Sequence, residues 1–438
     1  MGTKVNANPT KEFFISMLTR DIDIKAAILE LIDNSIDGAK KLRPDGNYSG
    51  LYIHLTYDKN YFSIVDNCGG ISIETATEYA FRFGRSPQRK KDEPADQCFT
   101  GVFGIGMKRS LFRLGTEFEV TSNTQQEHFK LSVNVSEWLK DDGNDWSFQL
   151  SEEGKIEDFP KEEIGTKIIV TGLHEGISKQ FELEVFFNTL TAHIEHFGTL
   201  AVENGLEISI NGQSITFASE KIIKTSEITP YSYIDQIGNV SIKIIAGIAP
   251  KGAPEKAGWY IYCNGRLIVY ADKTALTGWG EDGVRIYHPS LAIFRGFVFF
   301  ESHEPNELPW NTTKTNVDAS SKYYIFAKSK MREATLQVIK ASQPLSDGDV
   351  PEDTEKAVFS GTQVTLNTAS INAISKSASN FSLNLSGIKT MEPMANISFK
   401  KPKKYVDLMM RTMGVKSNKE VGSTAFDYYF KRECDDDE

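Results

Sequence analysis

The stretch that decides the fold is residues 24–39, which read IKAAILELIDNSIDGA. Its apolar side chains recur three or four positions apart, the spacing at which one stripe of an α-helix faces a core. A second stripe at the same spacing is polar and contains Glu30, Asp33, Asn34 and Asp37. Acids this close along a helix repel one another by about 0.2–0.5 kcal/mol per pair. We therefore expect cationic groups or hydrogen-bond donors against this stripe, with a solvated acidic face as the alternative.

A second signal follows a short apolar run, where residues 66–71 read DNCGGI. Glycine allows positive φ and lets a ligand approach the backbone closely. The Asp66 carboxylate, at the end of a predicted strand, can accept a hydrogen bond from an exocyclic amine, which is how a pocket distinguishes adenine from guanine. Taken alone, the same pattern is also typical of an ordinary Asp/Gly turn.

A third signal lies at residues 101–108, which read GVFGIGMK. Its three glycines can present backbone N–H groups to phosphate oxygens, and the helix predicted to follow adds its positive N-terminal end. The segment is not a P-loop, because Met107 and Lys108 stand where that motif requires Lys and then Ser or Thr. Its GxxGxG spacing also differs from the GxGxxG of a Rossmann fold. A fourth and weaker signal is Thr166, which comes just before a strand-like run at 167–171.

The length and composition limit the class of protein in which these motifs occur. The chain has 438 residues, of which 40% are hydrophobic and 25% charged, with a formal net charge of −10. This length predicts two to four domains, and the balance matches a globular protein. The acidic charge argues against a surface coated for nucleic acid, although a local basic patch remains compatible with it. Four scattered cysteines without a CxxC pair predict reduced thiols.

The N-terminus lacks the apolar segment of a signal peptide, and no run approaches the roughly 20 apolar residues of a membrane span. We therefore expect a cytoplasmic protein. Two Asn-Gly pairs, at 211–212 and 264–265, lie between alternating apolar runs and predict β-hairpins. A helix is predicted from about 321 to 341. Between 357 and 391 Ser, Thr and Asn dominate, which is typical of a loosely ordered connector.

The C-terminal tail joins a basic cluster, an amphipathic stretch at 405–413, an aromatic patch and an acidic end. The basic cluster is Lys400, Lys401, Lys403 and Lys404. Contact with nucleic acid, docking of a partner protein and folding back onto the chain's own domain are all compatible with this composition. We expect four parts in all: residues 1–205, 206–342, a connector at 343–399 and a helical tail at 400–438.

Together and in this order, the four motifs resemble those of the GHKL ATPases with the Bergerat fold, a family that includes gyrase B, MutL and the Microrchidia (MORC) proteins. The resemblance covers about residues 12–172. It implies an α+β fold, in which an ATPase sandwich with a mixed sheet and helices on one face is followed by an α/β transducer domain and the tail. It also implies ATP as the nucleotide and Mg2+ as the cofactor.

The resemblance assigns roles to residues of this sequence. Glu30 would polarise the attacking water, and Asn34 would coordinate Mg2+ together with triphosphate oxygens. Asp66 would read the adenine amine, Gly70 would line the base pocket, and Thr166 would support Asp66 through its hydroxyl or a water. Further nucleotide contacts are expected from Asp37, Ile71, Gly101, Val102, Gly104, Ile105, Gly106, Met107 and Lys108.

Two features bear on how the site is built. Cys68 stands where the family's DxGxG pattern has its first glycine, so the geometry of this loop stays open. The basic stretch 82–96 lies where the family has a mobile lid, which we expect to become ordered with nucleotide.

The hairpins after residue 206 resemble the transducer domain of gyrase, MutL and MORC proteins, which returns a lysine to the γ-phosphate. Residues 311–315 read NTTKT and resemble the lysine loop of gyrase, so Lys314 is the expected lysine and Lys273 the reserve. Such a lysine couples two domains, because it is satisfied only when ATP is present and the domains are apposed. Residues 13–18 are apolar enough for an arm exchanged between dimer subunits, or for a strap on the chain's own core.

We therefore predict a magnesium-dependent ATPase that closes as a homodimer on ATP and acts in DNA handling, in defence or repair; this last context rests on analogy. One alternative is a chaperone-like ATPase acting on protein clients. Another is a nucleotide-gated scaffold with negligible hydrolysis, in which Cys68 marks a slowed site.

Overall fold

The chain divides into two units, Met1–Lys389 and Thr390–Glu438. The computed structural model describes residues 9–20, 22–82, 105–140, 145–155, 163–197, 199–216, 220–311, 314–365, 374, 379–385 and 397–434. Three of the predicted phosphate-binding positions, Gly101, Val102 and Gly104, lie outside these residues, as does nearly all of the basic stretch 82–96.

The first sheet has eight strands in the order β5-β4-β3-β6-β2-β1-β7-β8. Neighbouring strands are antiparallel except β1 and β7, which run parallel, so the sheet is mixed. The strands are β1 (Tyr52–Tyr57), β2 (Phe62–Asp66), β3 (Gly115–Asn123), β4 (Glu127–Asn134), β5 (Leu150–Lys155), β6 (Gly165–Leu173), β7 (Glu207–Ile210) and β8 (Gln213–Ser214).

Eight α-helices accompany this sheet among the described residues before β7. They are α1 (Lys11–Arg20), α2 (Ile24–Leu42), α3 (Ile73–Thr75), α4 (Gly106–Leu114), α5 (Val135–Lys140), α6 (Glu175–Phe181), α7 (Glu184–Phe197) and α8 (Thr199–Glu203). A single hydrophobic core joins α2 and α4 to the sheet. The α+β class and the mixed sheet predicted from the sequence are confirmed.

Helix α2 forms where its periodicity predicts. The Asp23 side chain caps its N-terminus by accepting a hydrogen bond from the Ala26 N–H at 2.8 Å, which satisfies one of the unpaired donors of the first turn. Its apolar stripe is buried in the core, with Ile28, Leu31 and Ile32 at most 2% exposed. The stripe places α2 against α4 and the sheet and leaves its polar positions to other partners.

The second sheet has five strands in the order β11-β12-β15-β13-β14. Its strands are β11 (Tyr231–Ile237), β12 (Val240–Ile248), β13 (Gly258–Cys263), β14 (Arg266–Asp272) and β15 (Phe294–Glu301). Helix α9 (Lys322–Asp347) packs on one face, where the Trp259 indole donates to the Thr335 hydroxyl at 3.1 Å. On the other face Tyr260 and Tyr262 stack on Phe297 and Phe299.

Both Asn-Gly hairpins are confirmed. Asn211 and Gly212 have φ of 50° and 79°, and Asn264 and Gly265 have φ of 48° and 81°. Positive φ at both central residues matches the twist of the flanking strands, which is why Asn-Gly is favoured in such turns. The first hairpin is β7–β8, which joins the first sheet beside β1. That sheet therefore extends past the boundary predicted at residue 206, because alternation indicates a strand but not the sheet that it joins.

The segment predicted as a loosely ordered connector contributes paired structure where it is described. Helix α10 (Glu352–Phe359) follows α9. Two short strands, β16 (Gln363–Thr365) and β17 (Ser382–Leu383), pair with β9 (Lys221–Ile223) and β10 (Ile228–Thr229). Phe381 is 7% exposed and belongs to the core under α9. Backbone pairing with distant strands orders these polar residues, and their composition carries no sign of it.

Where it is described, at residues 397–434, the second unit contains two helices, Lys403–Met413 and Asn418–Glu433. Ser417 and Glu420 form a reciprocal capping box at the start of the second helix. Aromatic and aliphatic side chains of both helices are exposed, among them Leu408, Phe426 and Tyr429. None of the helices in the described part of the chain is long and apolar enough to cross a membrane.

Candidate functional site

Six of the predicted nucleotide-contacting residues line one cavity of the first unit. They come from four separate segments of the chain: α2, the end of β2 with the loop after it, the start of α4, and β6. The six are Asn34, Asp66, Gly70, Ile71, Met107 and Thr166. The other lining residues are Leu31, Ser35, Gly38, Ile64, Cys68 and Ile168, of which Leu31, Ile64 and Ile168 supply apolar side chains. A cavity with mostly apolar walls and a few convergent polar groups is the usual form of a small-molecule site.

Asp66 is the buried acid of this cavity, with 8% of its surface exposed. Its carboxylate accepts the Ser35 hydroxyl at 2.7 Å and the Cys68 N–H at 2.9 Å. Burial raises the pKa of Asp66, and hydrogen bonds from Ser35 and from the backbone of Cys68 and Thr166 oppose the shift. These bonds fix the carboxylate in one orientation at the cavity wall.

Thr166 supports Asp66 through its backbone. The two residues are register partners on β2 and β6, and the Thr166 backbone hydrogen-bonds the Asp66 side chain. The Thr166 hydroxyl lies 3.3 Å from the Ser122 hydroxyl, which in turn accepts the Ile71 N–H at 2.6 Å. The register of β2 and β6 therefore links Thr166 to the acid through the backbone.

The loop after β2 depends on its glycines. Gly69 and Gly70 have φ of 98° and 71°, in the left-handed region that favours glycine. A Cβ at Gly70 would overlap the backbone carbonyl of Asn123. Cys68, at the position of the family's first glycine, is buried with φ outside the left-handed region. Any side chain at residue 70 would therefore move the loop away from β3.

The polar stripe of α2 has the cationic partners that its spacing predicts. Lys314 Nζ lies 3.1 Å from each carboxylate oxygen of Glu30 and 3.9 Å from Asp33 Oδ2. The Arg266 guanidinium contacts Asp33 Oδ2 and lies 3.6 Å from Glu30 Oε1. All four side chains are buried, with 3–8% of each residue exposed. Two acids and two cations thus form a neutral buried cluster.

This charge cluster sets the protonation of Glu30. Burial alone raises its pKa, but the charges of Lys314, Arg266 and Arg109 outweigh that effect and hold the pKa of Glu30 below its usual value. Burial lowers the pKa of Lys314, and the Glu30 carboxylate partly offsets the shift. Glu30 is therefore a carboxylate at neutral pH, one helical turn from Asn34.

Lys314 reaches the cluster from a strained position. Its φ of 53° lies in the left-handed region, which costs a non-glycine residue about 1–2 kcal/mol. A hydrogen bond from its N–H to the Asn311 carbonyl at 2.9 Å closes the turn. Residues kept in such conformations cluster at functional sites, where the surrounding contacts hold them.

The comparisons with known proteins agree with this geometry. A family model described as "Histidine kinase-, DNA gyrase B-, and HSP90-like ATPase" matches residues 22–166. This part of the chain is a GHKL-type ATPase domain. The matched residues include α2, Asp66, Gly70, Met107 and Thr166, whereas Arg266 and Lys314 follow the match. A search of curated proteins finds no relative.

Three other predicted residues of the ATPase domain lie at the start of α4. Gly106 is its first residue, and a Cβ there would overlap the Glu30 carboxylate, so the N-terminus of α4 lies directly beside the charge cluster. Ile105 is half-buried at the N-cap position. Lys108 is 1% exposed and donates to the carbonyls of Ala80 and Arg82, the first at 2.8 Å. Lys108 therefore joins α4 to the segment after α3, and it is not one of the residues that line the cavity.

Asp37 and Lys273 also have partners outside the cavity. Asp37 Oδ1 lies 3.3 Å from Lys40 Nζ, on the side of α2 that faces the second sheet. Lys273 Nζ donates to three carbonyls at 3.0–3.1 Å, those of Pro254, Ala257 and Ala271. Of the two lysines predicted for the γ-phosphate, Lys314 is the one beside Glu30, and Lys273 is held within the second sheet and its loops.

Arg266 is the member of the cluster that the sequence analysis missed. It is the first residue of β14, which reads RLIVYAD, and the three residues after it are apolar. An arginine directly after an Asn-Gly turn, at the head of a buried strand, is a signal that a buried counter-charge is required. The sequence carries no indication that this counter-charge lies on α2, more than 200 residues earlier.

We predict that Glu30 and Lys314 are energetically coupled in the nucleotide-free protein. Lys314→Met leaves a buried carboxylate with one fewer counter-charge, a change that costs up to about 3–5 kcal/mol of unfolding free energy. The double variant Glu30→Gln, Lys314→Met removes both charges and should lose less than the sum of the single changes, by about 0.5–3 kcal/mol. Urea unfolding of the four proteins measures this coupling; additive losses would contradict a direct ion pair.

Proposed function

We propose that this protein binds ATP with Mg2+ in the described cavity and hydrolyses it. The observation that carries the proposal is the convergence of Asn34, Asp66, Gly70, Ile71, Met107 and Thr166 on one cavity beside a carboxylate kept ionised. The ATPase family of residues 22–166 suggests the same substrate and reaction.

The groups that line the cavity are chemically complementary to an adenine base. Asp66 is a fixed acceptor, and the bonds from Ser35, Cys68 and the Thr166 backbone leave about one of its four lone-pair sites for a ligand. The exocyclic amine of adenine is a donor suited to that position. Guanine has a carbonyl oxygen there instead, which cannot donate to the carboxylate. The apolar side chains of Ile71 and Met107 offer surfaces for the faces of the ring.

The residues present also fit a magnesium ion held mainly by phosphates. Asn34 is exposed at the cavity and offers an amide oxygen, a ligand type that Mg2+ prefers. Among the described residues, no group of three or more His, Cys, Asp or Glu side chains is arranged to hold an ion. Mg2+ would therefore rely on Asn34, water and phosphate oxygens, and its charge would neutralise part of the triphosphate.

Glu30 is the residue we assign to the attacking water. Phosphoryl transfer depends chiefly on positioning and on charge stabilisation, and an ionised carboxylate within reach can orient a water nucleophile. In this structure Lys314 occupies both Glu30 oxygens. A γ-phosphate offers Lys314 a second anionic partner, so nucleotide binding can shift this lysine from the carboxylate to the phosphate. The hairpins and loop around Lys314 would then act as the transducer domain.

We further propose that ATP drives closure of a homodimer through α1 and that the cycle serves DNA handling, the latter by resemblance to MutL and MORC proteins. Lys11 anchors α1 by donating to the Trp138 carbonyl at 2.9 Å, and Phe14 packs edge-on against Trp146. Phe13 and Met17, one turn apart, remain 57% and 59% exposed. Exposed apolar side chains on an anchored helix are suited to contact a second copy.

ATP affinity tests the base contact. We expect wild-type protein to bind ATP more tightly than GTP. Asp66→Asn should weaken ATP binding about 10- to 100-fold, because a lost charged acceptor leaves an unfavourable contact of about 1.5–3 kcal/mol. Calorimetry with both nucleotides measures this, with circular dichroism as the check on folding. No heat with the wild-type protein would refute nucleotide binding, and equal affinities for the two proteins would exclude Asp66 from the base contact.

Phosphate release tests the hydrolysis. Glu30→Gln keeps the shape of the side chain but removes the charge that orients water, so kcat should fall about 100-fold or more. ATP binding should not weaken, since Glu30 is outside the cavity lining and its carboxylate competes with the phosphate for Lys314. Turnover that persists in highly purified Glu30→Gln protein would mean that another group orients the water. A wild-type protein that binds ATP without releasing phosphate would favour the scaffold alternative.

Light scattering tests closure. We expect the mass to double with Mg2+ and a nonhydrolysable ATP analogue, and the paired change Phe13→Ser, Met17→Ser to prevent the doubling while ATP still binds. The two side chains are exposed, so the double variant should fold normally. A mass that stays monomeric with the analogue would overturn the dimer proposal.

Turnover assays separate the two possible clients. Stimulation by duplex DNA would support DNA handling, and stimulation by unfolded protein would support a chaperone role.

A further inference from the structure

The turn of the β13–β14 hairpin is held rigidly in the second sheet. The Asn264 side chain donates to the Ser302 carbonyl at 2.9 Å and accepts the Ser302 N–H at 2.9 Å. The Asn264 N–H also donates to the Phe300 carbonyl at 2.9 Å. Asn264 is 3% exposed. Because three hydrogen bonds join the turn to the end of β15, the hairpin moves with the second sheet as a body.

This rigid turn contacts one stripe of α2. Its carbonyl at Asn264 accepts Lys40 Nζ at 3.1 Å, and Arg266, two residues later, contacts Asp33 and lies 3.6 Å from Glu30. Positions 30, 33 and 40 follow the helical repeat, so the hairpin runs along about 15 Å of the helix at 1.5 Å per residue. The cavity lies against a different side of α2, formed by Leu31, Ser35 and Gly38, and Asn34 lies between the two sides. Helix α2 therefore lies between the cavity and the second sheet.

The two cations of the charge cluster differ in how they are held. Lys314 is a point charge on a loop, in a strained backbone conformation. Arg266 is a permanently charged, planar group with five donors, at the head of a paired strand. If Lys314 turns towards a phosphate, Arg266 remains paired with Asp33 and close to Glu30. A buried pair of acids needs such a remaining counter-charge, because an uncompensated buried carboxylate is strongly unfavourable.

We propose that Arg266 is a positioning residue for ATP hydrolysis. It holds α2 against the second sheet through Asp33 and keeps the Glu30 carboxylate in place while Lys314 exchanges between Glu30 and the phosphate. The inference rests on the proposed function and deepens it. In this proposal Arg266 joins α2 to the second sheet whether or not nucleotide is bound. Lys314 contacts Glu30 only when nucleotide is absent.

Steady-state kinetics of the full chain test this role. Arg266→Gln should lower kcat at least about tenfold and leave the KM for ATP within about threefold, because Arg266 acts on Glu30 and not on the nucleotide. Arg266→Lys should recover part of the lost kcat, since it restores the charge without the planar fork. Asp33→Asn, which removes the partner instead, should reproduce the loss of kcat and serves if Arg266→Gln does not fold.

A matched control is available in the same sheet. Arg295 is 1% exposed and donates through Nε to Glu220 at 2.8 Å, so it is an equally buried ion-paired arginine whose contacts lie outside α2. Arg295→Gln should lower the melting temperature, as expected for a broken buried pair, while kcat stays within about twofold. An equal loss of kcat in Arg295→Gln would overturn the proposal, because the effect of Arg266 would then be general destabilisation.

Hydrogen exchange supplies a readout that needs no turnover. In nucleotide-free protein, Arg266→Gln should raise amide exchange in α2 (24–42) about tenfold, whereas Arg295→Gln should leave it unchanged. Unchanged exchange in α2, or unchanged kcat with faster exchange, would overturn the positioning role. If wild-type protein releases no phosphate, the proposed function and the hydrolysis role both fail, and the exchange data still decide whether Arg266 holds α2.

Discussion

Burial of the Glu30 and Asp33 carboxylates on one helical turn is the constraint on which the rest of the structure depends. Two buried acids close together are strongly unfavourable unless cations accompany them into the protein interior. Both cations, Arg266 and Lys314, belong to the second sheet or its loops, and Lys314 is 284 residues from Glu30 in the sequence. The charge balance of these two acids therefore depends on packing against a later part of the chain.

This arrangement makes α2 a shared element. Its apolar stripe belongs to the core of the first sheet. Four of its residues, Leu31, Asn34, Ser35 and Gly38, line the cavity. Glu30, Asp33 and Lys40 contact the hairpin or the Lys314 loop. A ligand that changes the position or charge of one side must alter the energy of the contacts on the other. Because packed interiors do not deform continuously, such a helix is suited to two discrete arrangements rather than a graded one.

Much of the cavity could be predicted because its geometry is local. The Asp66 loop owes its shape to two glycines with positive φ, which an Asp/Gly motif indicates without any knowledge of the fold. Details that depend on neighbouring strands could not be predicted in this way. Thr166 bonds Asp66 through its backbone, because the register of β2 and β6 places them opposite each other. Lys108 is buried against distant carbonyls, although its motif position suggested a phosphate contact.

The amino-acid sequence by itself determined the elements whose physics is contained in a few neighbouring residues: helix α2, the Asn-Gly hairpins, the Asp66 loop, and the need for a cation against the acidic stripe. Only the tertiary structure decided which groups meet that need, since spacing along the chain does not encode contacts between residues hundreds of positions apart. For the same reason it alone decided that β7 joins the first sheet and that Lys314, not Lys273, lies beside Glu30. The periodicity of α2 shows which of its faces needs partners, and the packing of the folded chain determines that these partners are Arg266 and Lys314.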